Sequence, residues 1–366
     1  MMPGAAVPVA AGASPGAGIT PSILTVTRWL GTVSALAVAS VATVLVCLHF
    51  GAERISLVEA ITIIWRALHD GRLAAESTGS AAVIILEVRL PRLVLGFLVG
   101  GCLAAVGVAL QAMLRNPLAD PYVLGVSGGA AVGASLAIVT GLSAAGALWL
   151  PVSAFAGSLL SLALLYRIAA VYGYLSVHTL LLAGVIINAL FSALIMFLTS
   201  LMDPTHAFRV LSWMLGSLAA PDDLSLSVVA GLLAIGGMLL ARQARALNLL
   251  TVGEESARSL GVDVERVKRT LLVTTALLTG AVVSVSGLIG FVGMAVPHAV
   301  RMLCGADNRL LMPACALSGG IFLVIADTVA RTALAPAELP VGVMTALVGA
   351  PFFLYLLVAR KGGRAL

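Results

Sequence analysis

Gly125-Val126-Ser127-Gly128-Gly129 fits the GxSxG spacing that presents a serine hydroxyl for nucleophilic attack, with His178 or His298 as the base it would need from another helix. The same residues carry a second reading. Gly125, Gly129 and Gly133 recur every four positions, the small-residue stripe that lets membrane helices approach closely. Packing is the stronger of the two. Other chemistries lack their residues. The two lysines, Lys268 and Lys361, are followed by Arg269 and Gly362, whereas a P-loop sets Lys before Ser or Thr. The chain therefore does not hydrolyse ATP in that way, and an ATP-driven role must borrow a partner subunit. No HExxH zinc motif occurs. Cys47, Cys102, Cys304 and Cys315 lie in or beside apolar runs without CxxC spacing, so they read as small hydrophobes rather than metal ligands or a disulfide. Neither a metal nor a covalently bound cofactor is expected. Among the acids only Asp327 sits inside an apolar run, with Arg331 at i+4 on the same helical face. A neutralising pair suits that spacing better than the proton relay of an ion-coupled transporter.

The segments that carry these residues are hydrophobic. Of the 366 residues, 60% are hydrophobic and 10% charged, and the mean hydropathy is +1.11. That excludes an ordinary soluble domain. Long apolar runs favour helices over a barrel, whose strands would alternate apolar and polar residues. The reading is an all-α, polytopic membrane protein with one integral domain. The net charge of +5 is spread among loops with no aromatic-studded patch, so nucleic acid is not an expected partner.

Residues 1–28 read as a flexible leader, and residues 29–360 as the transmembrane domain. A first span covers about Trp29–Phe50. An outer connector follows over 51–88, within which Ser56–Asp70 is amphipathic, with Leu57, Val58, Ile61, Ile64, Trp65 and Leu68 on one face and Ser56 and Glu59 forming a capping box. Nine more apolar runs follow, near 91–113, 122–140, 145–169, 179–202, 224–240, 270–286, 288–303, 310–334 and 342–358. Ten spans put both termini on one side, with 361–366 a short tail. With the amino terminus inside, 14 of the 21 basic residues face inward and 7 outward, in accord with the positive-inside bias.

The one long polar stretch between spans is Thr251–Arg269, which holds eight charged residues from Glu254 onward. Two short helices are expected there, Glu254–Leu260 and Asp263–Arg269, hinged on a left-handed Gly261. It is either a docking handle for a soluble partner or a solvated loop.

Eight stretches, taken in order, resemble the FecCD-type permeases of ATP-binding-cassette importers for iron–siderophore, haem and cobalamin. They are RLPR at Arg89–Arg92, QAMLRNPLADPYVLGVSGG at Gln111–Gly129, LLLAGVIIN at Leu180–Asn188, SWMLGSL at Ser212–Leu218, GEESARSLGV at Gly253–Val262, GFVGMAVPHAVR at Gly290–Arg301, ADTVAR at Ala326–Arg331 and ELPVGVMTALVGAPFF at Glu338–Phe353. The resemblance covers about residues 85–360. It implies a type II importer bundle in a bacterial inner membrane, both termini cytoplasmic, working as a homodimer by alternating access. Its implied partners are two cytoplasmic ATPase subunits, which bind the magnesium–ATP, and a periplasmic binding protein. The handle then corresponds to the family's coupling helices, with Glu254, Glu255, Ala257, Arg258, Leu260 and Gly261 as contact positions. Arg89, Arg92 and Arg331 correspond to outer positions that meet glutamates of the binding protein, although Arg331 is equally placed to serve Asp327, and Arg89 to pair with Glu87. Ser176, Val177 and His178 fall at the family's gate, and Asn188 deeper in the pathway. Cobalamin permeases tend to carry small hydroxyl residues at that gate. Val177–His178 departs from this, which favours haem or a ferric siderophore as cargo and leaves cobalamin second, with a serine hydrolase built on Ser127 a distant third.

Overall fold

The computed structural model describes residues 24–51, 53, 55–70, 79–171, 174–219 and 223–362. Most of the leader, Arg54 and Arg72 of the connector, and all but the first two residues of the tail fall outside these. Fifteen helical segments follow in order: α1 (Val26–His49), α2 (Leu57–Asp70), α3 (Ser80–Val83), α4 (Leu90–Leu114), α5 (Val126–Val139), α6 (Trp149–Ala169), α7 (Val177–Ser200), α8 (Pro204–Met214), α9 (Asp223–Arg242), α10 (Ala244–Val252), α11 (Glu254–Ser259), α12 (Val264–Ser286), α13 (Val292–Cys304), α14 (Asn308–Thr332) and α15 (Val341–Gly362). A two-residue hairpin, β1 (Ala170–Val171) and β2 (Tyr174–Leu175), joins α6 to α7. Among the described residues, seven helices, counting Ser80–Leu114 as one, are long and apolar enough to cross a membrane, and three shorter apolar helices accompany them. The ten coincide with the ten expected spans.

Helix α4 is the axis of the bundle. It is buried along nearly its whole length and packs against α14, α13, α12 and α9. Small residues make the close approach. A methyl group built on Gly100 would stand 2.2 Å from the Gly319 carbonyl oxygen, and one on Gly107 would stand 1.8 Å from that of Gly293. The Gly129–Gly133 stripe does the same work between α5 and α6, meeting the backbone of Gly157 and Ser153. Helix starts are closed by side chains. Ser176 caps α7, Asp203 caps α8 ahead of Pro204, Asp263 caps α12 and Asp307 caps α14, each hydroxyl or carboxylate taking an otherwise unpaired amide.

The structure departs from the expectations in four places. The last residues of the connector are helical, running through a π-turn (Ile84–Arg89) directly into α4. Asp263–Arg269 is not a separate short helix, because Val264 onward is the first turns of α12. Helices α8 and α10 belong to no expected span. On α2, Ala60, Ile63 and Ile64 pack against Cys47, Leu48, Ile85 and Leu93, while Val58, Ile61 and Trp65 of the expected face point outward. The Leu68 side chain lies outside the described residues. Ser56 does cap α2, accepting the Glu59 N–H at 3.2 Å.

Candidate functional site

At one end of the bundle, the handle is held down by charge. Two glycines with positive φ, Gly253 (149°) and Gly261 (85°), bound the short α11, so the chain turns sharply on either side of it. Ala257 is fully buried and fixes the inner face of α11, while Leu260 is 66% exposed and Glu255 also faces outward. Glu254 reaches Lys268 at 3.1 Å and Arg258 at 3.7 Å. Glu265 reaches Lys268 at 2.9 Å and Arg258 at 3.4 Å. Two acids and two bases therefore clamp α11 to the start of α12. Just before it, α10 is tied to α14: the Asn248 amide donates to Asp307 Oδ1 at 2.8 Å, and the Asn308 N–H donates back to Asn248 Oδ1 at 2.8 Å. Hydrogen bonds from Arg309 hold the Asp307 carboxyl down to about 2. Beside α10 opens a cavity of 280 Å³ lined by Gln111, Arg115, Asn116, Thr251, Arg301 and Asn308, among others. There the RNP turn and the PHAVR stretch meet, Arg301 donating to Gln111 Oε1 at 2.8 Å.

The positions expected at the gate adjoin this clamp. Ser176 and His178 are exposed and Val177 is half-buried, at the first turn of α7. The preceding residue, Leu175, offers its N–H to Glu265 at 2.8 Å and its carbonyl to Lys268 at 2.5 Å. Sequence reasoning placed Glu265 and Lys268 in the handle without a role. Nothing in the spacing tells that partners about 90 residues away would meet them. Asn188 is half-buried one face further along α7, its amide donating to the Tyr122 carbonyl at 2.9 Å. A row of apolar side chains on α7, Leu182, Val185, Ile186 and Leu190, remains exposed.

The opposite end gathers the three arginines, and it buries them. Arg89, Arg92 and Arg331 are 3%, 9% and 8% exposed. Arg92 makes a two-pronged pair with Asp327, Nε to Oδ2 and Nη2 to Oδ1 at 2.9 Å each, and its Nη1 reaches the exposed Glu338 at 2.9 Å. Arg331 lies 3.9 Å from Asp327 and donates to the Cys47 carbonyl at 3.1 Å. The i+4 pair thus exists, but the shorter contacts go across to α4. Arg89 donates to the Leu48 and Glu53 carbonyls, not to Glu87. In this conformation the three guanidiniums brace the end of the bundle and leave little surface for a partner.

Ser127 is 2% exposed and its hydroxyl has no hydrogen-bond partner among the described residues. The nucleophile–base contact that hydrolysis requires is not formed. No group of three or more His, Cys, Asp or Glu side chains suited to a metal occurs among the described residues.

The family model of the FecCD transport family matches residues 23–359. Among curated relatives, the cobalamin import system permease protein BtuC of Halobacterium salinarum is 46% identical over 283 residues, covering 77% of this chain and 75% of that protein. The hemin transport system permease protein HmuU of Yersinia pestis is 44% identical over 285 residues, covering 77% and 85%. Among solved structures, a transporter described as of the metal-chelate ABC type, in an inward-facing conformation, is similar with a TM-score of 0.77 and 30% identity, covering 90% of this chain and 99% of that one.

Proposed function

The chain belongs to the FecCD transport family, and on that footing we propose that it is the membrane subunit through which an ATP-driven importer carries an iron complex, haem or a ferric siderophore, into the cell. It is an ABC importer permease of the class that serves metal chelates, haem or cobalamin. The family is one of transport permeases, and the chain's task is movement rather than chemistry.

The observation that carries the reading is the handle. A short helix, exposed on one side through Glu255 and Leu260 and clamped on the other through Glu254, Ala257 and Arg258, is built to be pushed. We place this end in the cytoplasm, against one of two ATPase subunits, and the opposite end outside. Closure of the ATPase dimer would displace α11 and tilt the helices attached to it. Two copies of the chain would face each other across a pathway bordered by α7, whose exposed apolar row then lies between subunits. The binding protein docks on the outer end, where Glu338 is accessible and Arg89, Arg92 and Arg331 brace the surface beneath it.

For cargo, His178 supports an iron complex, being an exposed imidazole at the gate position, a residue type able to touch iron in passing. A second reading, cobalamin, is supported by the Halobacterium salinarum relative bearing that name. The test is ATP hydrolysis by the reconstituted complex, screened with binding protein loaded with haem, a ferric hydroxamate or cyanocobalamin. Haem or the ferric hydroxamate is expected to stimulate hydrolysis most; stimulation by cyanocobalamin alone would overturn the iron reading.

A further inference from the structure

We propose that Lys268 and Glu265 form a latch that carries movement of α11 into the first turn of α7, so that these two side chains, rather than the helix backbone alone, link the handle to the gate. The inference rests on the coupling role given above for α11, and it adds the route by which that role reaches the pathway.

The geometry converges on one nitrogen. The Lys268 side chain is 5% exposed, and its ammonium lies within hydrogen-bond distance of three acceptors on three elements: Glu254 of α11 at 3.1 Å, Glu265 of α12 at 2.9 Å and the Leu175 carbonyl of β2 at 2.5 Å. An ammonium has three protons, so all are in use. Glu265 completes the grip by accepting the Leu175 N–H at 2.8 Å. Both backbone groups of Leu175 are thereby held by side chains of α12, in bonds strengthened by charge. Leu175 is itself buried, so releasing either group would strand a polar atom. The next residue, Ser176, is the cap of α7 and accepts the Thr179 N–H at 3.4 Å.

The consequence is mechanical. Along the chain, α11 and the start of α7 are separated by α7 itself, α8, α9 and α10. Through Lys268 they are two contacts apart. A buried ammonium with every proton engaged cannot follow Glu254 and abandon the Leu175 carbonyl without leaving a donor and a buried acceptor unpaired. Shifting Glu254 must therefore shift Leu175, and with it Ser176, Val177 and His178. A passive staple would use the same bonds, so the test has to separate holding from transmitting.

The complex is reconstituted in liposomes with its ATPase subunits and binding protein, using whichever of haem, a ferric hydroxamate or cyanocobalamin stimulates hydrolysis. Cargo uptake and ATP consumption are read on the same sample. Lys268→Met and Glu265→Gln are expected to assemble and to hydrolyse ATP near the wild-type rate, while cargo moved per ATP falls about tenfold. Lys268→Arg, which keeps the charge and the donors, is expected to recover most of that ratio. An unchanged ratio in Lys268→Met overturns the latch, and so does a parallel fall of uptake and hydrolysis, which marks a staple. Should Lys268→Met fail to assemble, a spin label at position 178 in the Glu265→Gln background decides. Loss of the ATP-driven distance change across the dimer supports the latch, and a full change overturns it. Failure of the wild-type chain to engage an ATPase would instead remove the coupling role itself, an outcome visible before any variant is made.

Discussion

Burying the Arg92 guanidinium against Asp327 ties the first turn of α4 to the far end of α14. A charge pair this enclosed gains little over a well-packed apolar pair, but breaking it leaves one charge stranded, at a cost of about 3–5 kcal/mol. Arg92→Met is therefore expected to destabilise the folded chain by up to that amount in detergent unfolding, and Arg92→Met/Asp327→Leu to recover only part of it, since Arg331 then loses its acid and keeps the Cys47 carbonyl. The folded double variant is also expected to bind the binding protein with unaltered affinity, because the guanidinium braces the surface and does not present itself. Loss of affinity in that variant would restore direct docking. The sequence made Asp327 conspicuous as the acid in an apolar run, and i+4 spacing pointed to Arg331. It could not reveal Arg92, 235 residues away, because no local periodicity encodes a partner on another helix. Basic residues outside the positive-inside pattern were legible as special, while their burial was not.

At the level of elements, Gly261 sits at φ 85°, and a methyl group added to it would meet no atom within 4 Å. Space is not the constraint there; the left-handed backbone is, and a β-branched residue would be strained by about 1–2 kcal/mol. Gly261→Val is expected to re-aim α11 while leaving the buried core intact, lowering ATPase stimulation and transport together in a permease of normal melting temperature. Full stimulation would detach α11 from coupling. Hydropathy located the ten apolar helices and Gly261 marked the turn. The boundary between handle and span was missed, because Val264, Val267 and Leu271 continue one helical face while the charges between them set Asp263–Arg269 apart as a separate short helix. Helices α8 and α10 were missed for a related reason. Each is too short and too mixed to register beside runs of about 20 or more apolar residues, the length needed to cross a bilayer.

For the molecule as a whole, the two ends have different constructions. One is stiffened by buried arginines and presents the accessible acid Glu338 beside them. The other joins an exposed helix to the residue before α7 through a compact set of four charges. Between them, α4 and its glycine contacts leave little room for independent movement of single helices, so force applied at α11 is passed on to its neighbours. All of this requires that an external ATPase drive the chain through α11. The decisive comparison is uptake of the stimulating cargo into liposomes with and without the ATPase subunits, at equal amounts of permease. Uptake is expected only where both the ATPase subunits and hydrolysable ATP are present, with none from the permease alone; sustained uptake by the permease without them would refute the coupling.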